Sequence, residues 1–214
     1  MQARLLSLIL FTFLMAGCAL LSSSSEDSAS LPELTYPEPD PETECLLDSY
    51  RDSLDIMFGN RVAEVTDTIR FGKPESAMGN LVADALRFRA ASELRRFIHV
   101  GIIGQDSFKL YFTPGMLTVA HVYEFMPYDN HLVVLTLTGE KVKELTEQVA
   151  KAGGAPVSGI RFNMKNGNTA SGILVNAEII DTDREYYVAT SNYQADGGGI
   201  FPALWDPLNR IDLD

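Results

Sequence analysis

Basic residues, cysteine and histidine are scarce in this 214-residue sequence. It has 17 Lys and Arg residues against 29 Asp and Glu residues, which gives a formal net charge of −12. A chain of this charge repels DNA and RNA, because their binding depends on basic side chains that neutralise phosphates. We therefore expect no nucleic acid partner. The sequence also lacks a Gly-x-Ser-x-Gly motif, a phosphate-binding P-loop motif and any internal repeat.

The two cysteines, Cys18 and Cys45, are too few for a disulfide framework. Cys18 ends the stretch Leu-Met-Ala-Gly-Cys, which follows Arg4 and a short apolar run over residues 5–14. Such a run is too short to span a bilayer and is typical of a signal peptide. The stretch resembles a bacterial lipoprotein box, so we expect a signal peptide over residues 1–17 and a lipid on Cys18. The alternative is an ordinary secretory signal with an incidental cysteine.

This lipoprotein hypothesis predicts a cell-envelope protein, anchored to the outer membrane and facing the periplasm or the surface. Residues 18–40 contain four consecutive serines and three prolines, and they predict a disordered tether. A folded domain is predicted over residues 41–214. Cys45 should lie on a helix as a buried or half-buried residue without a disulfide partner.

Apolar periodicity in this domain predicts an α+β fold with a mixed sheet packed with helices. Helices are predicted from Pro41 to a stop at Gly59, from Glu75 onwards, from an N-cap at Thr118 to Tyr123, and over residues 142–149. The remaining apolar runs predict strands, which cover residues 63–71, 98–103, 131–138, 160–164, 173–180 and 186–190. Gly139 should end the third of these strands, and turns are predicted at Pro114-Gly115 and Asn166-Gly167.

The stretch from Ser191 to Ile200 contains three consecutive glycines, at positions 197–199, after Tyr193. Glycine allows a backbone to approach a ligand closely, and an aromatic face can stack on a planar ring. The alternative is a tight turn with Tyr193 packed in the core.

Five segments in order are similar to the C-terminal domain of the bacterial 5′-nucleotidases, the family that includes UDP-sugar hydrolases. They are Glu-Ser-Ala-Met-Gly-Asn at 75–80, Pro-Gly-Met-Leu-Thr at 114–118 with Met-Pro-Tyr-Asp-Asn at 126–130, Leu-Thr-Leu-Thr-Gly at 135–139, Val-Ser-Gly-Ile at 157–160, and the loop from Tyr193 to Gly199. The similarity extends from Pro41 to about Leu204.

The resemblance implies that this domain recognises a nucleotide or nucleoside, and that its base lies between two aromatic rings. The matching positions carry Tyr128 and Tyr193, and the resemblance extends the binding site to Asn130, Lys109, Gly197 and Gly198. One segment departs from the family, which has an Asn-Gly-Gly-Ile-Arg run where this chain has Gly104-Gln-Asp-Ser-Phe-Lys109. Lys109 keeps a positive charge without the planar fork of arginine, and Asp106 adds a carboxylate.

In that family a separate metallophosphoesterase domain holds two divalent metals and performs hydrolysis. Such a site needs clustered His, Asp and Asn ligands. None of the three histidines lies in an Asp-x-His or Gly-Asn-His-Glu arrangement, so we expect no catalytic residue, metal ligand or cofactor in this chain. His99 is expected in the core or at its edge, and His121 and His131 in solvated or capping positions.

Three functional hypotheses remain open. The first is the substrate-recognition half of a split 5′-nucleotidase, which is inactive alone and works with a separate metallophosphoesterase chain. The second is a stand-alone nucleoside-binding lipoprotein. The third is an interaction lipoprotein that has kept the fold and lost the binding site, a hypothesis that Gln105-Asp-Ser favours.

Overall fold

The structure, a computed structural model, describes residues 40–165 and 169–213. The predicted signal peptide, Cys18, all but the last residue of the tether, and the Asn166-Gly167 turn lie outside these residues. The chain falls into two units, Met1–Leu47 and Asp48–Asp214. Helix α1, Pro41–Phe58, starts in the described part of the first unit and ends in the second. The other helices and the strands belong to the second unit.

The second unit combines helices and strands in mixed order, as the sequence predicts. Its remaining helices are α2 (Ala77–Leu94), α3 (Val119–Phe125), α4 (Gly139–Lys151) and α5 (Asn192–Ala195). Its strands are β1 (Arg61–Val65), β2 (Val100–Ile102), β3 (Gly115–Thr118), β4 (Leu132–Thr138), β5 (Val157–Ser158), β6 (Ile160–Lys165), β7 (Thr169–Val175), β8 (Glu178–Ile179), β9 (Glu185–Ser191) and β10 (Asn209–Leu213).

A five-stranded sheet with the order β10-β4-β9-β2-β5 forms the centre of this unit. The sheet is mixed, because β2 pairs parallel to β9 while β4 pairs antiparallel to both β9 and β10. The remaining strands form two smaller antiparallel sheets, β1-β3 and β6-β7-β8. The structure therefore confirms the predicted fold class, which is α+β with a mixed sheet.

Both faces of strand β4 are buried. Val133, Leu135 and Leu137 pack in one cluster with the apolar side of α4, whereas Val134 packs in another cluster with Ala90 of α2. Successive side chains of a strand point to opposite faces, so this alternation places one helix on each side of the sheet.

Short polar side chains begin the helices, as helix-capping chemistry requires. The Ser76 side chain accepts a hydrogen bond from the Gly79 N–H at 3.1 Å, and the Thr138 hydroxyl accepts one from the Lys141 N–H at 3.2 Å. Gly139 follows the last residue of β4, as predicted, and also begins α4. No helix among the described residues is both long and apolar enough to cross a membrane.

Two predicted strands are wrong in length. The strand expected over residues 63–71 ends at Val65, since its partner β3 begins at Gly115 opposite that residue and only an isolated bridge joins Ile69 to Phe112. The strand expected over residues 173–180 is interrupted by Asn176 and Ala177, which have positive φ angles of 51° and 69°. Two such residues form the tight turn that right-twisted hairpins favour.

Two further predictions need correction, and one strand was missed. Cys45 lies on the expected helix but is exposed, because α1 buries none of its residues. Pro114-Gly115 was expected as a turn, yet Gly115 starts strand β3. Strand β10 was not predicted, because its short sequence, Asn-Arg-Ile-Asp-Leu, follows a segment rich in turn residues.

Candidate functional site

Three segments meet at one end of the central sheet because of how its strands pair. Strand β4 begins where β9 ends, since the two are antiparallel and Leu132 pairs with Ser191. Strand β2 runs parallel to β9, so its carboxyl end reaches the same edge. The loops before β4, after β2 and after β9 therefore lie together.

The loop before β4 is tied directly to helix α5. The Asn192 N–H donates to the His131 carbonyl at 3.0 Å, and the His131 N–H donates to the Asn192 side-chain oxygen at 3.1 Å. The Ser191 hydroxyl accepts from the Gln194 N–H at 3.4 Å and so caps α5. These bonds fix Tyr193, which lies on α5, beside the segment of Tyr128.

A cavity of about 310 Å³ lies between these segments. Its volume is at the lower end of the range typical of small-molecule sites. Its lining residues come from all three loops: Asp106, Ser107, Lys109, Tyr128, Asn130 and Tyr193. The structure thus brings together four of the six residues expected to bind ligand: Lys109, Tyr128, Asn130 and Tyr193.

Neither tyrosine of the cavity is a core residue. Tyr128 is 49% exposed and Tyr193 is 43% exposed, whereas Tyr186 of the neighbouring strand β9 is only 3% exposed. The alternative in which Tyr193 packs in the core is therefore wrong. Half-exposed aromatic rings at a cavity wall can stack on a planar ligand.

The two glycines expected in the site occupy different places. The Gly198 N–H donates to the Tyr193 carbonyl at 2.9 Å, and a Cβ atom at Gly198 would collide with the Tyr193 ring. Gly197 has a φ angle of +89° and lines a second cavity, which is shared with Trp205 and Arg210. Only Gly198 therefore supports the wall of the tyrosine cavity.

Lys109 is held against the cavity by its own segment. Its ammonium donates to the Asp106 carbonyl at 3.2 Å and lies 4.9 Å from the centroid of the Tyr128 ring. The Lys109 N–H donates to the Phe125 carbonyl at 3.0 Å, and the preceding Phe108 stacks on the Phe125 ring at 5.1 Å. A buried aromatic pair thus anchors the loop after β2.

Ser107 and Gln194 are two buried residues near the cavity that were not among the predicted site residues. Ser107 is 3% exposed and borders the cavity, and Gln194, which follows Tyr193 in the chain, is 1% exposed. Both side-chain polar atoms of Gln194 lack a hydrogen-bond partner in the part of the chain that the structure describes. Gln194 directly follows Tyr193 and Ser107 lies two residues before Lys109, but no sequence pattern indicates that a glutamine or serine is buried there.

The three histidines lie where they were expected. His99 is buried in the core, where its Nδ1 accepts from the Tyr187 N–H at 2.9 Å. Burial lowers the pKa of the His99 imidazole, and the nearby Arg184 guanidinium lowers this pKa further. His121 caps α3 by accepting from the Thr118 N–H at 3.1 Å, and His131 lies 3.0 Å from an Asp212 oxygen.

Within residues 40–165 and 169–213, no group of three or more His, Cys, Asp and Glu side chains could hold a metal ion. The cavity itself contains one carboxylate, one ammonium, one amide, one hydroxyl and two phenol rings. These groups can bind a planar polar molecule through stacking and hydrogen bonds.

The sequence model described as 5′-nucleotidase, C-terminal domain, matches residues 61–206 of this chain. The chain belongs to this family. It is 26% identical over 215 residues to the trifunctional nucleotide phosphoesterase of Bacillus subtilis (strain 168), and the match covers 91% of this chain and 14% of that protein.

Two solved structures share the fold of this 5′-nucleotidase C-terminal domain. The 5′-nucleotidase precursor from Thermus thermophilus superimposes with a TM-score of 0.65 at 25% identity, over 79% of this chain and 37% of that one. The NAD nucleotidase of Haemophilus influenzae superimposes with a TM-score of 0.58 at 20% identity, over 86% of this chain and 38% of that one, which shows the fold alone. The chain thus spans less than two fifths of the length of each of these relatives.

Proposed function

We propose that this chain is the nucleotide- or nucleoside-recognition half of a split 5′-nucleotidase that takes part in nucleotide catabolism. Its cavity binds the nucleobase, and a separate metallophosphoesterase chain holds the divalent metals that hydrolyse the phosphate ester. The observation that carries this proposal is the meeting of Tyr128, Tyr193, Asn130 and Lys109 in one cavity. The chain also belongs to a family that is named for nucleotidases.

The chemistry of the cavity fits a base. A stacked base contributes about 1–3 kcal/mol in proteins that bind single-stranded nucleic acid, and each tyrosine here offers such a face. The Asn130 amide both donates and accepts hydrogen bonds, which matches the mixed edges of nucleobases. The chain itself supplies no hydrolytic group in this proposal, because metal-assisted hydrolysis belongs to the partner.

Equilibrium titration of the full chain with adenosine and AMP tests the recognition role. We expect saturable binding of at least one of them, and a weaker affinity in Tyr128→Ala. The matched control is Tyr123→Ala, since Tyr123 is an exposed tyrosine of α3 that does not line the cavity. Absence of binding at millimolar ligand would refute the recognition role and favour an interaction lipoprotein.

Hydrolysis assays test the split arrangement. The full chain with Mn²⁺ or Zn²⁺ should not hydrolyse AMP or UDP-glucose above a metal-only blank. Addition of a metallophosphoesterase chain encoded by a neighbouring gene should produce hydrolysis that is faster than with that chain alone and slower with Tyr128→Ala. Turnover by this chain alone, surviving further purification, would contradict the arrangement. Binding without stimulation of any partner would favour a stand-alone nucleoside-binding lipoprotein.

We further propose that a lipid on Cys18 anchors the protein to the outer membrane. The support is the sequence Leu-Met-Ala-Gly-Cys at residues 14–18 after a short apolar run. Cys18→Ala should move the protein from the membrane pellet to the soluble fraction, while Cys45→Ala should leave its distribution unchanged. A Cys18→Ala protein that remains in the pellet would contradict the anchor.

A further inference from the structure

The loop after strand β2 places a carboxylate in the tyrosine cavity. Asp106 and Lys109 are the acidic and basic side chains among the six lining residues, and they come from the same loop. Their formal charges cancel within the cavity. The net charge of the whole chain is −12, so the surrounding field also opposes a phosphate dianion.

The single ammonium of this cavity is already engaged by the protein. Lys109 Nζ donates to the Asp106 carbonyl at 3.2 Å and lies 4.9 Å from the Tyr128 ring centroid. A phosphate that recruited Lys109 would compete with both contacts and would bring its own negative charge towards the Asp106 carboxylate. Like charges at short distance oppose binding.

The Asp106 carboxylate also has a buried polar neighbour. A Cβ atom at Gly104 would collide with both Asp106 Oδ1 and Gln194 Nε2, so these two atoms border the same small space. The Gln194 amide is 1% exposed and has no hydrogen-bond partner within the described residues. A carboxylate acts only as a hydrogen-bond acceptor, so Asp106 can accept hydrogen bonds from donors of a ligand.

We propose that Asp106 restricts this cavity to the nucleoside part of its ligand and leaves the phosphate outside. The carboxylate accepts hydrogen bonds from donors of the nucleoside, either the sugar hydroxyls or an exocyclic amine of the base, and it repels a phosphate group. Asp106 is thus a specificity-determining residue. This inference rests on the function proposed above, since it assumes that the cavity takes a nucleobase.

Isothermal titration of the full chain with adenosine and AMP at equal ionic strength tests the role of Asp106. The wild type should bind adenosine at least as tightly as AMP. Asp106→Asn should weaken adenosine binding at least about tenfold, as expected for loss of hydrogen bonds to a charged acceptor. It should also raise the affinity for AMP relative to adenosine.

The matched control is Asp129→Asn, which removes an exposed carboxylate next to Tyr128 that does not line the cavity. It should leave the ratio of the two affinities unchanged. Asp106→Ser provides a second variant at the same position, and thermal melting of each variant shows whether the fold is intact.

Two analogues identify the hydrogen-bond donors. Weaker binding of 2′,3′-dideoxyadenosine than of adenosine assigns the donors to the sugar, and weaker binding of inosine assigns them to the base; in Asp106→Asn the difference should disappear. Equal affinity of the wild type for all three nucleosides would overturn the inference. The inference would also be overturned if AMP bound tenfold more tightly than adenosine, or if Asp106→Asn left both affinities unchanged. In each of these cases the proposed recognition role would survive. Absence of both adenosine and AMP binding would instead refute that role and this inference together.

Discussion

Tyr193→Ala tests whether the tyrosine cavity binds a base, because the structure separates its effect on binding from its effect on stability. Tyr193 is 43% exposed at the cavity wall. Removal of a stacking ring should weaken base binding by about 1–3 kcal/mol, which corresponds to a roughly 5- to 150-fold higher Kd. Since nearly half of the side chain is exposed, the loss of stability should be only about 2 kcal/mol or less, below the cost of truncating a fully buried aromatic residue.

Tyr186→Ala is the comparison variant, because Tyr186 is a buried tyrosine on β9, the strand that precedes α5. Tyr186 is 3% exposed, its hydroxyl accepts from the Asp181 N–H at 2.9 Å, and its ring lies 5.3 Å from the His99 ring. Truncation of this buried ring should cost about 3–5 kcal/mol of stability. For a protein of this size that corresponds to a fall in melting temperature of very roughly 6–20 °C. Binding per folded molecule should not change.

The assay combines titration of adenosine and AMP with thermal melting for both variants. Tyr193→Phe is a further control, because it keeps the ring and should bind nearly as the wild type. A large loss of melting temperature in Tyr193→Ala with unchanged affinity would refute the stacking role. The same refutation would follow if Tyr193→Phe lost as much affinity as Tyr193→Ala.

Three other predictions follow from particular contacts. Gly198→Ala should displace the Tyr193 ring, because the added Cβ would overlap it, and titration should show weaker adenosine binding. The control is Gly72→Ala, whose Cβ would meet nothing within 4 Å and which should leave adenosine binding unchanged. The free energy of unfolding, measured with denaturant, should fall as the pH drops below about 6.5, because the unfolded chain then protonates His99 while the lowered pKa of the folded state keeps it neutral. His99→Gln should reduce that slope, and an unchanged slope in this variant would assign the dependence to other groups. Gln194→Met should change the melting temperature little, since it replaces an unpartnered buried amide with an apolar chain of similar size; a large loss of stability would show that the amide has a partner in the folded protein.

Local sequence patterns account for most of the helices and central strands. The spacing of Val142, Leu145 and Val149 predicted the helix that became α4, and all three residues are buried. Helix α1 ends at Phe58, directly before the Gly59 stop, and Thr118 is the N-cap of α3 as expected. Periodicity and helix-capping chemistry act within a few residues along the chain, so the sequence alone is sufficient to predict them.

The grouping of the site residues came from family resemblance rather than from local pattern. Lys109, Tyr128 and Tyr193 lie in three separate segments of the chain, and Tyr193 is on α5. Periodicity gives no information about which loops meet. The antiparallel pairing of β4 with β9 and the parallel pairing of β2 with β9 bring these loops to one edge of the sheet.

Amino-acid sequence by itself determined the α+β class, the main helices and the acidic charge that disfavours nucleic acid, because composition and short-range periodicity carry this information. Only the tertiary structure decided that Tyr193 stands at a cavity wall, that Gly197 lies apart from it, and that Asp106 enters the same cavity. It also decided that Gln194 is buried beside Asp106. Burial and proximity of this kind depend on strand pairing between distant segments, which no local pattern of residues specifies.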